Sequence, residues 1–459
     1  MKLSLQNRDV DMLNGSITKG MFMMAIPVIL TTVLSSLFNT IDMAVLRNFT
    51  DNADLAVGAI GAVSFLSPLS VSIINGISVG ASVITARNLG SGDKEKVKRS
   101  VGTAMSVVLA GGIFLMLLGI LLSEQLLRWT DCDEALLPGA TLYFQLYFTT
   151  MPIMAFSTFS SGLLRAKGDT RTQMIIVTIV GVSKVLASII AIAVLNLGLL
   201  GLSLASVVAW LVSATLYSRE VWKKGNPLYI DREYVRFYAT ELKGMLHIGI
   251  PAGLQTALYS VANVVIQTAV NGFGKEATTG LGIANTYDNI IYNISVGAAA
   301  AVMPYMSQNL GAGNIARAKK AMIKGIWLVV LTGGTLGALS AIFSGPLASM
   351  LSADPKVIAF AQQKMVIISS AYFICGINEV MNAALRALKK PIITTIAALL
   401  FTCGLRFLWV YVIFPHIPNN LTFLYLVWPI GWILSILMVL PFIIYNFKKL
   451  EKAQSPLLN

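Results

Sequence analysis

The sequence predicts an all-α integral membrane protein with twelve transmembrane helices in two six-helix lobes related by a parallel pseudo-twofold repeat. Composition is the first observation behind this. Of 459 residues, 56% are hydrophobic and only 12% charged, and the mean hydropathy is +0.74, too apolar for a water-soluble chain of this length. The second is the recurrence of apolar runs long enough to cross roughly 30 Å of hydrocarbon. They lie near 20–46, 56–86, 98–122, 139–162, 172–196, 199–218, 244–271, 278–306, 322–345, 357–384, 391–414 and 422–446. The third is self-similarity. IPVILTTVLSSLFNTIDMAVLRNF at 26–49 is echoed at 250–273, RNLGSGD at 87–93 by QNLGAGN at 308–314, and LLRAKGDTRTQ at 163–173 by ALRALKKPIIT at 384–394. Six spans separate the copies, so both halves cross the membrane in the same sense.

The first span carries Pro27 near one end and Asn39 and Asp42 near the other. Its polar residues Thr32, Ser35, Ser36, Asn39 and Asp42 recur at helical spacing and share a face. In the echo, Ile266 takes the place of Asp42. Asp51 to Asp54 are expected to form an outer turn. In the second span, NGISVG (75–80) places small residues where neighbouring helices approach closely. Residues 1–218 make the first lobe and 219–243, with Gly225, Asn226 and Pro227, a hinge loop. Residues 244–459 make the second lobe and a short tail. In the eighth span Asn285, Asp288, Asn289, Tyr292 and Asn293 form a second polar stripe. Trp210, Trp409, Trp428 and Trp432 are assigned to interface belts or packing.

A formal charge of +13 raises the question of nucleic acid, but the distribution of the basic residues answers it. With the N-terminus in the cytoplasm, 27 of 34 Lys and Arg residues fall on cytoplasmic segments and five, Lys364 among them, on the outside. Outer loops are acidic, as at Glu124, Asp131, Asp133 and Glu134. This is the positive-inside pattern, and it places both termini in the cytoplasm without a nucleic-acid partner. The polar first 19 residues lack a cleavable signal pattern, so the first span is expected to act as the insertion signal.

Enzyme chemistry has little to draw on. His247 and His416 stand in no metal or triad motif, no phosphate-binding glycine loop is present, and Cys132, Cys375 and Cys403 are not spaced for a metal. No cofactor is expected. The informative residues are the charges within spans: Asp42, Lys184, Asp288, Glu379 and Arg406. Such groups are costly in hydrocarbon and mark ion or substrate pathways or buried pairs. Counting rise per residue places Asp42 in the outer half of its span and Glu379 in the inner half of its own, and brings Asp288 and Arg406 to similar depth near the midplane. Asp288 and Arg406 are therefore expected to pair. Lys184 lies too deep for a direct bond to Asp42 without tilt or a bridging water.

Taken together, the twelve spans, Pro27 with FNTID, the NLGSGD and NLGAGN turns and LLRAKGDT resemble the multidrug and toxic compound extrusion (MATE) family over nearly the whole chain. GLRFLWVYVIFP (404–415) and LYLVWPIGWIL (424–434) resemble a Gram-positive branch. The resemblance implies an antiporter of the cytoplasmic membrane that exports small organic compounds in exchange for protons or sodium ions; it is expected to work by alternating access and as a monomer. It implies Asp42 as the coupling residue; the polar stripes and in-span charges themselves set Asn39 beside it and give a substrate cavity drawn from Thr32, Ser36, Lys184, Asn285, Asp288, Tyr292, Glu379 and Arg406. Lys184 and Ser188 stand where the family's fifth span often has Asn and Asp, and Gln255 stands near an expected glutamate, so its sodium site and cationic cargo do not transfer directly. A flippase for a lipid-linked precursor, of the same superfamily, is the alternative.

Overall fold

The structure is a computed structural model that describes residues 9–50, 53–63, 66–130, 132–223, 225–417 and 420–454. Helix dominates, and no strand occurs among the described residues. The first half comprises α1 (Ile17–Phe49), α2 (Ala53–Val63), α3 (Leu66–Ser91), α4 (Lys94–Trp129), α5 (Leu137–Thr149), α6 (Met151–Lys167), α7 (Thr170–Ile189) and α8 (Gly198–Val221). The second comprises α9 (Ala239–Asn271), α10 (Lys275–Ala300), α11 (Val302–Gly311), α12 (Ile315–Ile342), the short α13 (Ser344–Ser349), α14 (Pro355–Ser370), α15 (Tyr372–Ala387), α16 (Pro391–Ala397), α17 (Leu405–Leu408), α18 (Leu421–Tyr425) and α19 (Val427–Gln454).

Ten of these stretches are long and apolar enough to cross a membrane unaided. The bent pair α14 and α15 makes another, with 46° between its parts. The remaining span is assembled from α5 and α6, which meet at Thr150, where Pro152 in the first turn of α6 has no amide hydrogen to donate back. Twelve spans therefore agree with the twelve apolar runs. Large side chains such as Leu121, Trp327, Leu331 and Leu437 lie exposed on these helices, as a lipid-facing surface requires. The turn expected at 51–54 falls partly outside the described residues, and Ala53 and Asp54 already belong to α2. Asp131 also lies outside them.

The repeated motifs are helix punctuation. Gly92 and Gly313 both take positive φ, at 74° and 75°. The next residues, Asp93 and Asn314, accept from the backbone amides of Lys96 and Arg317 and so start α4 and α12. At the other landmark, Gly168 ends α6 with φ 99° and Asp169 caps α7 by accepting from Thr172 N at 3.0 Å. In the second copy Lys389 adopts the left-handed conformation at φ 59°, and Pro391 opens α16.

Contacts divide the chain into one unit of residues 1–10 and 30–253 and another of 11–29 and 254–459. The lobes expected at 1–218 and 244–459 are thus exchanged at two helix ends: 239–253 of α9 belongs to the first unit and 17–29 of α1 to the second. Missing side chains explain the intimacy. A Cβ on Gly76 would strike the Gly249 carbonyl, and one on Gly80 would strike that of Met245, so NGISVG is a packing surface as its composition suggests. In the second unit Gly297 lies against Ile29.

Candidate functional site

In the first unit, α1 and α7 come together because Gly181 leaves room for the Phe38 ring. Within the next two turns from that contact, Asn39 and Asp42 on α1 face Lys184 and Ser188 on α7, each pair spaced to share a helix face. Lys184 Nζ lies 2.7 Å from Asp42 Oδ2, Ser188 Oγ donates to Asp42 Oδ1 at 2.8 Å, and Lys184 also donates to Asn39 Oδ1 at 3.3 Å. Asp42 is 2% exposed. Val45 and Leu46, in the next turn of α1, pack with Ala56, Ile192 and Leu202 into an apolar cluster.

The direct Asp42–Lys184 pair corrects the depth argument. Rise per residue locates a Cα, but the four-carbon lysine stem carries its charge well along the helix axis. Thr32 and Ser36 are not drawn into the cluster: Ser36 donates back to the Thr32 carbonyl at 3.2 Å.

The second unit holds a partly open cavity of about 450 Å³. Four members of the eighth-span stripe, Asn285, Asp288, Asn289 and Tyr292, line it, and so do Glu379 and Arg406. Asp288 and Arg406 do not pair, contrary to expectation. Asp288 Oδ2 lies 2.9 Å from Lys364 Nζ, and Ser369 donates to Asp288 Oδ1 at 3.2 Å. Lys364 also donates to Asn285 Oδ1. Both partners are buried, at 5% and 3% exposure.

The outer-side assignment of Lys364 is corrected as well. It stands nine residues into α14 from Pro355, roughly 14 Å along the axis, and so belongs to the membrane interior. The signal was readable as a lysine within the tenth apolar run.

Arg406 turns elsewhere because equal depth does not fix direction around the helix. Between α16 and α17 the backbone takes a π-helical course over Ala398–Gly404, which rotates α17 about the helix axis. The Arg406 Nη1 donates to Asn263 Oδ1 on α9 at 2.6 Å, and the guanidinium lies 4.7 Å from the centroid of the Trp428 ring. Trp428 and Trp432 thus line the cavity and do not serve as belt residues, whereas Trp409 is packed, stacked on Phe423 at 4.8 Å. Glu379 reaches the cavity without an ion pair or hydrogen bond among the described residues. Gln255 lies buried, accepting from Arg386 at 2.7 Å and donating to Tyr259.

Membrane-length helices that hold charged side chains on an interior cavity have the construction of a solute transporter, not of a passive scaffold. Comparison with known proteins agrees. The family model described as MatE matches residues 27–190 and 251–412, one match per half, and the chain belongs to this family of multidrug and toxic compound extrusion transporters. It is 24% identical over 448 residues to "Probable multidrug resistance protein YoeA" of Bacillus subtilis strain 168, covering 95% of each. It is 26% identical over 353 residues to the "FAD transporter" of Shewanella oneidensis, covering 74% of this chain and 76% of that one. A solved outward-facing multidrug resistance MATE family transporter of the MOP superfamily shares the fold, with a TM-score of 0.88 at 17% identity over 97% of this chain and 99% of the other.

Proposed function

We propose that the protein is a secondary active antiporter that exports small organic compounds by alternating access, driven by protons or sodium ions and working as a monomer in the cell membrane with both termini cytoplasmic. The observation that carries this reading is the buried Asp42, held by Lys184, Ser188 and, through Lys184, Asn39. A carboxylate at a span interior is expensive to keep ionised unless a cation accompanies it. Here Lys184 is that cation, and a proton or sodium ion arriving at Asp42 takes its place and frees the ammonium. The ion and the lysine exclude one another, which gives the first unit two electrostatic states.

The cargo is a drug or another organic compound. One relative is named as a multidrug resistance protein and another as a FAD transporter, so names within the family do not confine it to drugs. The flippase alternative calls for several free cationic side chains to hold a diphosphate. Of Lys184, Lys364 and Arg406, the first two are matched by aspartates, which counts against it.

The test is reconstitution in liposomes, with dye and drug efflux followed under an imposed pH gradient and then a sodium gradient. Efflux under either supports the antiporter. Efflux under neither, with flipping of a lipid-linked precursor, replaces it by the flippase.

A further inference from the structure

The internal repeat supplies its own template for Arg406. Asn263 lies 224 positions after Asn39, and Arg406 lies 222 after Lys184. The neighbouring landmark, Gly168 to Lys389, is offset by 221, and the extra residue before Arg406 is what a π-helical turn inserts into an α-helix. The two cations therefore occupy corresponding places, each bonded to the side-chain oxygen of the corresponding asparagine, at 3.3 Å for Lys184 and 2.6 Å for Arg406.

The third member of the set differs. Asp42 corresponds to Ile266, which lines the cavity. Arg406 is 5% exposed and has no carboxylate within ion-pair distance among the described residues. Of the cavity's two acids, Asp288 is taken by Lys364, and Glu379 makes no ion pair with Arg406 among the described residues.

A buried guanidinium bonded to a single amide oxygen keeps unmet donors and an unmet charge. Stacking on Trp428 does not use those donors, because they lie in the guanidinium plane and still suit a bidentate acid. The cavity volume falls within the roughly 300–1,000 Å³ of small-molecule sites, and Trp428, Tyr259 and Tyr372 give it aromatic walls. We propose that this cavity binds an aromatic organic acid, whose carboxylate or phosphate takes at Arg406 the place that Asp42 takes at Lys184. The proposal names the substrate class of the exporter and rests on that reading.

The test uses three probes with one aromatic core, 2-naphthoate, neutral 2-naphthamide and 2-naphthylmethylammonium, titrated against the purified protein in detergent. Naphthoate is expected to bind about tenfold tighter than the amide, as befits a charge-assisted bidentate contact, with the ammonium weakest. Arg406→Gln removes that preference while Arg406→Lys retains part of it, and amide affinity reports an intact cavity. Ile266→Asp restores the first-unit arrangement and also removes the preference, which keeps the test open if Arg406→Gln does not fold. Equal binding of acid and amide, tightest binding of the ammonium, or an acid preference that survives Ile266→Asp overturns the proposal. Naphthoate binding without gradient-driven efflux of any compound overturns the exporter reading alone.

Discussion

Asp42 and Lys184 form a 2.7 Å ion pair between α1 and α7, and Ser188 completes the coordination of the carboxylate. If this pair is where the coupling ion enters, Asp42→Asn inserts and folds but loses gradient-driven efflux in liposomes. Lys184→Gln retains the acid and changes the ion dependence, since the competitor is gone. Wild-type efflux from a well-expressed Asp42→Asn would remove Asp42 from the mechanism.

The Asp288–Lys364 pair makes a separate prediction about stability. Removing one member of a buried pair leaves an uncompensated charge and costs about 3 to 5 kcal/mol, whereas removing both is often close to neutral. Asp288→Asn and Lys364→Met should each lower the thermal midpoint in detergent, and the double variant should recover most of the loss. In a double-mutant cycle Asp288→Asn with Arg406→Gln should show weaker coupling than Asp288→Asn with Lys364→Met. The reverse ranking would restore the pairing expected from depth alone.

Gly80 offers a packing test. A Cβ there meets the backbone carbonyl of Met245, so Gly80→Ala should destabilise by about 1 to 3 kcal/mol, the usual range for overpacking. Beyond its own helix, no described atom lies within 4 Å of an ideal Cβ on Gly61. Gly61→Ala should leave the thermal midpoint nearly unchanged, and an equal loss at both positions would refute the packing role of NGISVG.

Topology is open to labelling. In a variant lacking Cys132, a cysteine at exposed Lys223 should resist an impermeant thiol reagent in intact cells and react after permeabilisation. Reaction before permeabilisation would invert the proposed orientation.

The fold was legible because bilayer thickness and helix punctuation both leave marks in sequence. Span length is set by hydrocarbon, and Gly92–Asp93 and Gly313–Asn314 show the same left-handed stop followed by the same side-chain cap. Asp42, Lys184, Asp288 and Arg406 were legible as residues because a charge in an apolar run is conspicuous. Their pairing was not, since one-dimensional spacing gives height along a helix but neither its azimuth nor the reach of a lysine stem. The π-helical turn before Arg406 compounds this, because no residue type announces it. Asn263 was within reach: the echo of the first span already aligned it with Asn39.

The exchange of helix ends between the units bears on how the protein can be assembled from pieces. Fragments 1–225 and 226–459, produced separately, would each lack a helical end that the other carries: 239–253 completes the first unit and 11–29 completes the second. Each fragment is thus the missing segment of its partner, and the two should resist degradation only when made in the same cell.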